Sequence, residues 1–272
     1  MAEGVPRRGP RVLPVVQHKR AVDGNIDLQA LREYWHAEHF GFGGRHRTAT
    51  LALRDPQPLP SRHMTPDELL TSTRSVRRRL DLERPVPHEL ITECIQTAVQ
   101  APTGGNRQQW QWLVVTDAEK KRFIGERYRE AWYAYNTTAR SEYPRDDPRR
   151  EQLPRVVRSA QYLADRMGEV PAMVIACIEG RVEGKSSEAM AGFYGSIVPA
   201  AWSFMLAARL RGLGTAYTTL HLKYEREVAE QLGVPYDRYT QAALLPVAYY
   251  TGDDFRSADR IPLESIVHWE VW

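Results

Sequence analysis

Two stretches of the chain decide the fold: Thr73-Arg-Ser-Val-Arg-Arg-Arg-Leu80 and, about one helix later, Ala101-Pro-Thr-Gly-Gly-Asn-Arg-Gln-Gln-Trp110. The first places four arginines around a serine. Because crowded cations repel one another, an anion is expected to neutralise some of them. The second is a Pro-Gly turn rich in amide side chains, which recognise hydrogen-bonding edges, and it ends on an aromatic residue. A phosphate-binding site beside an amide-lined pocket is what a flavin mononucleotide requires.

The two motifs, in this order and at this separation, resemble those of the FMN-dependent nitroreductase family. There an Arg-Ser-x-Arg motif opens the domain, and a Pro-Ser/Thr-Gly-x-Asn-x-Gln-Pro-Trp motif follows one helix later. The resemblance runs from about Met64 to the C-terminus. It implies a homodimer built on long central helices, with C-terminal arms that wrap the partner.

The resemblance assigns the phosphate site to Arg74, Ser75 and Arg77. Arginine offers forked donors and serine a hydroxyl, and both suit phosphate oxygens. The alternative is a solvated basic helix end, where cations also complement the helix dipole. Arg78 and Arg79 are expected to face solvent or an acidic neighbour.

Five residues match the family turn that meets the isoalloxazine ring, often from the opposite subunit: Pro102, Thr103, Gly104, Asn106 and Gln108. Reduced flavin is anionic near N1 and C2=O, so hydrogen-bond donors there raise its reduction potential. The alternative is a helix C-cap and loop with glycine in the left-handed region. Gln109 stands where the family commonly has proline, and Trp110 is expected to pack in the core.

Two further regions match segments that approach the flavin in the family. Arg256 and Arg260 lie where members add basic residues for the phosphate, with surface charge on a tail as the alternative. Thr218 and Thr219 follow a Gly-Leu-Gly strand, near the place where some members carry an acidic-Gly pair. They are expected to donate from hydroxyl or backbone instead. His221 is expected to be a core or surface histidine.

The resemblance implies an FMN-dependent oxidoreductase that takes hydride from NAD(P)H and reduces nitroaromatic, quinone or similar small conjugated acceptors. Flavin N5 carries that chemistry, so no catalytic protein residue is expected. Accordingly, the sequence contains no G-x-S-x-G, Walker or H-E-x-x-H motif. One alternative is a specialised enzyme of the same fold that dehydrogenates a biosynthetic intermediate or cleaves flavin. Another is a non-catalytic protein that binds flavin or a partner.

Composition indicates an ordinary globular protein of one large domain plus an arm, with 272 residues of which 42% are hydrophobic and 26% charged. The net charge of +3 comes from residues 1–63, where 10 Lys and Arg stand against 6 Asp and Glu, so no nucleic-acid partner is expected. The sequence has no uninterrupted apolar run of about 18 residues, so no membrane span is expected. Without a secretory signal, and with Cys94 and Cys177 in apolar segments, a cytoplasmic location is expected.

The chain divides into an N-terminal extension, residues 1–63, and an FMN-binding domain, residues 64–272. The extension ends in a stiff Pro-rich linker, Asp55-Pro-Gln-Pro-Leu-Pro60. Its His36 and His39 form an HxxH pair that can bind metal, but no further ligand set accompanies them, so no metal is expected. Met64 could be an alternative start.

Strands and helices alternate, with too few consecutive strands for a doubly wound sheet. We therefore expect an α+β fold, and the family fold implies a central, mainly antiparallel sheet surrounded by helices. The patterns predict capping boxes at 65–68 and 116–119, a helix from about 87, a nearly all-round apolar helix at 195–210, a helix at 224–232, and strands at 110–115, 171–178, 215–220 and 242–250.

Overall fold

The structure is a computed structural model that describes residues 64–138, 143–145, 147, 149–252 and 255–272. The predicted N-terminal extension, its linker and its histidine pair lie outside the described residues. The domain boundary at residue 64 therefore stays a prediction.

The described residues form six α-helices and four strands. The helices are α1 (Pro66–Ser72), α2 (His88–Ala98), α3 (Ala118–Thr138), α4 (Arg149–Arg166), α5 (Ser187–Leu210) and α6 (Glu225–Leu232). The strands are β1 (Trp110–Val115), β2 (Ala172–Glu179), β3 (Leu213–Thr215) and β4 (Tyr239–Tyr249).

The strands form one sheet in the order β1-β2-β4-β3, in which every neighbouring pair is antiparallel. The central strands β2 and β4 are buried along almost their whole length, because helices cover both faces of the sheet. The pairing shifts between Ala176 and Cys177, a bulge that leaves Ala242 as the extra residue of β4. The predicted α+β architecture with a central antiparallel sheet is confirmed.

Alternate residues of β2 serve two different core clusters, as the period-two geometry of a strand requires. Val174 packs in the cluster that includes Phe204 of α5. Its neighbour Ile175 points to the other face and packs in the cluster that includes Ile124 of α3 and Leu163 of α4. All of these side chains are at most 1% exposed.

Helix α5 is longer and less completely covered than its apolar run predicts. It begins at Ser187, where the Ser186 side chain accepts a hydrogen bond from Ala189 N. A stripe of large side chains at a spacing of four residues is each 38% exposed: Met190, Tyr194, Val198 and Trp202. We call this set the α5 stripe.

Among the described helices, α5 alone is long and apolar enough to cross a membrane by length and composition, with a mean hydropathy of 1.3. Its sequence is interrupted by Ser196, Pro199 and Ser203, so it is not one continuous apolar run. Core helices of globular domains meet the same criterion. Ile197, Ala201 and Phe204 are fully buried in the core cluster between α5 and the sheet, so one face of α5 packs in the core of the domain.

Two local predictions need correction. The N-terminus of α3 is capped by Asp117, whose Oδ1 accepts from Lys120 N at 2.9 Å, so the predicted capping box starting at Thr116 is wrong. The strand predicted at 215–220 ends at Thr215. Beyond it, Thr218 makes only an isolated bridge to Leu244, and the chain then enters a 3₁₀ turn, Leu220–Tyr224.

Candidate functional site

Helix α1 is short and closed at both ends, which places the arginine motif immediately after it. The predicted capping box is present: Thr65 Oγ1 accepts from Glu68 N at 3.2 Å, and Glu68 Oε2 accepts from Thr65 N at 2.8 Å. At the other end, the Thr73 hydroxyl donates to the Leu69 carbonyl at 2.6 Å. Arg74 and Ser75 therefore follow the helix rather than lying on it.

The segment from residue 74 to 81 is fixed by backbone bonds to two strands. Val76 N donates to the Thr215 carbonyl at 2.8 Å, and Asp81 N donates to the Tyr249 carbonyl at 2.8 Å. Gly214 of β3 allows this approach, because a Cβ there would lie 3.0 Å from side-chain atoms of Val76 and Leu80. The arginines consequently project from a rigid base.

A cavity of about 1030 Å³ opens between this segment, α4 and the C-terminal residues 255–260, and we call it the arginine pocket. It brings together five of the residues predicted to bind the phosphate: Arg74, Ser75, Arg77, Arg256 and Arg260. Its described lining also includes Arg78, Arg79, Gln152, Arg155, Ser159 and a single acidic residue, Asp259. The site is strongly electropositive.

The environment of Arg74 shows the crowding of charge. Burial lowers the pKa of its guanidinium, the nearby charges of Arg260 and Arg155 lower it further, and Asp259 opposes them. Its Nη1 donates to the Arg256 carbonyl at 3.0 Å, which ties the motif to the C-terminal segment. The remaining guanidinium donors suit an anion.

Arg77 lies deeper in the protein than Arg74. Burial lowers its pKa, and the nearby Tyr128 raises it. Burial raises the pKa of Tyr128, while the charge of Arg77 and a hydrogen bond with Thr218 lower it. The Thr218 hydroxyl in turn donates to the Leu244 carbonyl at 2.7 Å. Thr218 is buried and is not among the described lining of the pocket, and Thr219 is exposed.

The C-terminal wall is held by aromatic contacts. The guanidinium of Arg79 lies 4.2 Å from the centre of the Phe255 ring, and its Nε donates to the Thr251 carbonyl at 2.6 Å. Phe255 also packs edge-on against Tyr250, with ring centres 4.9 Å apart. The guanidinium carbon of the buried Arg209 lies 3.7 Å from the centre of the Phe255 ring. Arg78 is exposed, as predicted, whereas Arg79 is half-buried against Phe255.

The second motif is fixed to α5 rather than to the arginine pocket. Gly104 N donates to Ser196 Oγ at 3.0 Å, and that hydroxyl donates to the Gly192 carbonyl at 2.8 Å. Trp110 Nε1 donates to the Ser196 carbonyl at 2.8 Å, and the ring packs against the core, as predicted. One residue of α5 thus positions both ends of the turn.

Hydrogen bonds within the turn orient its amides. Gln108 N donates to Thr103 Oγ1 at 3.2 Å, and Gln108 Nε2 donates to Asn106 Oδ1 at 3.0 Å. The amide NH₂ of Asn106 is left as an outward donor. Asn106 has a φ of 53°, a conformation that asparagine tolerates better than most residues. Because α2 ends at Ala98, the turn is not a helix C-cap.

A second cavity, of about 560 Å³, lies between this turn and the N-terminal half of α5. Gly104, Gly105 and Arg107 line it, and no described residue is shared with the arginine pocket. Within one subunit the structure assembles the predicted phosphate residues but does not bring Pro102, Thr103 or the rest of the turn to them.

Sequence reasoning missed the α4 contribution to the arginine pocket, namely Gln152, Arg155 and Ser159. The only sequence signal was the Arg-rich composition of this stretch. His221 is fully buried, neither ring nitrogen has a hydrogen-bond partner among the described residues, and burial lowers its pKa to about 3. Within the described part of the chain, no group of three or more His, Cys, Asp or Glu could hold a metal.

Known structures share this fold. An iodotyrosine deiodinase bound to FMN and 3-iodo-L-tyrosine aligns with a TM-score of 0.56 at 22% identity, over 75% of this chain and 98% of its own. A nitroreductase-like family protein from Bacillus cereus aligns with a TM-score of 0.54 at 19% identity, over 77% and 98%. A variant of the FMN- and NADPH-dependent nitroreductase NfnB from Sphigopyxis sp. strain HMH aligns with a TM-score of 0.52 at 23% identity, over 77% and 100%.

Curated protein sequences give no match. The profile of the Nitroreductase family, in contrast, matches residues 70–249, which span both motifs, all four strands and the central helix α5. This is more than half of the chain, and the shared architecture agrees with it. The chain belongs to the Nitroreductase family and has the fold of its flavin oxidoreductases.

Proposed function

We propose that the protein is an FMN-dependent oxidoreductase that takes hydride from NAD(P)H and reduces nitroaromatic, quinone or similar small conjugated acceptors. The observation that carries the proposal is the arginine pocket, where Arg74, Ser75 and Arg77 converge with Arg260 on one cavity. A phosphate monoester presents oxygens that accept from several forked donors at once, and charge-assisted bonds of this kind are the strong ones. The donor set therefore fits the flavin phosphate.

The turn supplies a suitable surface for the ring. The side-chain oxygen Asn106 Oδ1 accepts from Gln108 Nε2, so the Asn106 side-chain NH₂ can donate to an electron-rich ring edge. When bound, the flavin would accept hydride at N5 and pass electrons on. The chain binds and orients it, and its donors favour the anionic reduced form.

We also propose that the active form is a homodimer. The phosphate residues and the turn lie on separate surfaces of one subunit, so a second copy would complete the flavin site. The α5 stripe leaves four large apolar side chains 38% exposed. The C-terminal segment exposes others, among them Trp269 at 81% and Trp272 at 100%. Both surfaces suit burial against a second copy of this chain.

We also propose a cytoplasmic location, where free thiols such as Cys94 and Cys177 stay reduced.

The two cysteines take no part in the proposed chemistry. Both thiols are buried, and burial raises their pKa to about 11 for Cys94 and about 12 for Cys177. Such thiols are poor nucleophiles, because the thiolate is the reactive form. They contribute to packing rather than to the flavin chemistry that we propose.

Anaerobic titration of the FMN-loaded protein with NADH and with NADPH tests the function. We expect at least one of them to bleach the flavin absorbance, and an added nitroaromatic or quinone to restore it. Flavin that binds but is bleached by neither donor would favour a non-catalytic protein. Bleaching that neither test acceptor reverses would show that they are not its substrates, and would favour a specialised enzyme of the same fold that dehydrogenates an intermediate or cleaves flavin.

A further inference from the structure

The arginine pocket carries more positive charge than one flavin phosphate neutralises. Its volume of about 1030 Å³ is that of a cavity for a whole small ligand, so groups other than the flavin phosphate can enter it. Its described lining has seven arginines against one acid, Asp259. A phosphate monoester brings only about 1.5 to 2 negative charges at neutral pH. One phosphate therefore leaves most of the positive charge unneutralised.

The three walls of the pocket are close enough for their charges to interact. Besides burial, the charges that lower the pKa of Arg74 are those of Arg260, on the C-terminal segment, and Arg155, on α4. The attraction of Asp259 opposes them. Because like charges in a partly desolvated cavity repel, a second anion in the pocket would stabilise the folded protein.

Helix α4 contributes a complete set of anion donors. Gln152, Arg155 and Ser159 are separated by three and four residues, so they lie on one face of the helix, and all three line the pocket. They offer an amide, a guanidinium and a hydroxyl, which are all donors to phosphate oxygens. Within the part of the chain that the structure describes, none of these side chains is engaged in a hydrogen bond or ion pair. We call these three residues the α4 wall.

We propose that the α4 wall forms a second anion subsite, which holds a phosphate group next to the flavin phosphate. The inference rests on the proposed flavin function, because the motif residues are taken to bind the flavin phosphate. The ligand chemistry is a phosphate ester. Two sources would supply it: the second phosphate of a flavin dinucleotide, or the phosphate of a separate molecule, such as the 2′-phosphate of NADPH.

The test compares Arg155→Gln with Arg158→Gln. Arg158 lies on the same helix, is exposed and does not line the pocket, so its substitution makes the same charge change elsewhere. FMN-loaded protein is titrated calorimetrically with adenosine 2′,5′-bisphosphate, and the apoprotein with FMN and with FAD. We expect Arg155→Gln to weaken the bisphosphate or FAD by about tenfold, the scale of one charge-assisted hydrogen bond. FMN affinity should stay within about threefold of wild type in both variants.

The two titrations distinguish the two sources of the second phosphate. A loss confined to the bisphosphate identifies a separate ligand, and a loss confined to FAD identifies a dinucleotide. The inference is overturned if the two variants behave alike, if wild-type protein binds neither ligand, or if Arg155→Gln weakens FMN as strongly as Arg74→Gln does. The last result would place Arg155 in the flavin phosphate site itself. A wild-type protein that binds no FMN would overturn the proposed function as well, whereas the other outcomes leave it standing.

Discussion

At the scale of single residues, the arginines of the motif differ in what their side chains contact. Arg74 and Arg77 belong to the segment from 74 to 81, which is fixed by backbone bonds, and both line the cavity. Arg79 lines the same cavity, but its Nε is bonded to the Thr251 carbonyl and its guanidinium covers Phe255. We therefore propose that Arg74 and Arg77 bind the ligand, whereas Arg79 helps to build the side of the cavity.

Substituting either motif arginine should therefore lower the affinity for the cofactor. We expect Arg74→Ala or Arg77→Ala to reduce FMN affinity by about 1.5–3 kcal/mol, the scale of a hydrogen bond to a charged group. Fluorescence titration of the apoprotein measures this, with Arg158→Ala as a control that should bind as wild type does. Unchanged affinity in both motif variants would place the phosphate elsewhere.

His221 should make the fold sensitive to acid. Burial lowers its pKa from 6.5 to about 3, so the folded state keeps the imidazole neutral. The stability that this group contributes is full above pH 6.5 and is lost as the pH falls toward 3. Between pH 6.5 and 5 the loss should reach about 2 kcal/mol.

Urea unfolding at pH 7 and pH 5 measures that loss. His221→Leu removes the titration, so its stability should fall less between the two pH values than that of wild type. His88→Leu, at an exposed position on α2, should keep the wild-type pH dependence. An equal pH dependence in wild type and His221→Leu would show that His221 is not the responsible group.

At the scale of elements, Ser196 of α5 connects the core helix to the turn. Its hydroxyl accepts from Gly104 N and donates to the Gly192 carbonyl. Ser196→Ala leaves the Gly104 N–H without this partner, so we expect a loss of about 1–3 kcal/mol in unfolding free energy and weaker FMN binding. Chemical denaturation and FMN titration measure the two effects.

Ser203→Ala is the matched control for that substitution. Ser203 lies two helical turns further along α5 and away from the turn. Its substitution should change neither stability nor FMN affinity by more than about 0.5 kcal/mol. If both serine variants bind FMN as wild type does, the turn does not depend on α5 for its binding geometry.

The sequence predicted those parts of the site that are local in the chain. The motif at 73–80 and the turn at 101–110 are each continuous in the sequence, so the resemblance to the family could identify both from the sequence. Arg155 lies about eighty residues from the motif and reaches the pocket only through the packing of α4. Thr218 was predicted as a donor to the flavin, but pairing with Leu244 uses its hydroxyl, and no local pattern reveals that pairing.

The fold was predictable to a similar extent. The strands at 110–115 and 171–178 carry apolar runs that lie within one residue of β1 and β2. The early start of α5 was missed because its first turns are exposed and contain Gly192 and Gly195, which weaken a helical pattern. The all-round apolar pattern at 195–210 is consistent with burial against a second subunit, and Val198 and Trp202 of the α5 stripe lie in that range. Met190 and Tyr194 lie before it and were missed.

At the scale of the whole molecule, the α5 stripe should mark the dimer interface. Trp202 is 38% exposed in one subunit, so a charge there is tolerable in a monomer but costly inside an interface. We expect Trp202→Glu to dissociate the dimer and release flavin. Leu70→Glu, at a 55% exposed position on α1, should leave both intact. Light scattering at micromolar concentration measures the mass, and a flavin-loaded wild-type monomer would contradict the proposal.

We propose that the arginine pocket and the turn, from two subunits of a dimer, make one FMN site. Mass spectrometry of the ligand released from purified protein, after incubation with FMN and removal of excess, tests it most directly. We expect FMN at about one molecule per subunit in wild type, and little FMN in the Arg74→Ala, Arg77→Ala double variant. Wild-type protein that retains no flavin, or a double variant that retains as much FMN as wild type, would contradict it.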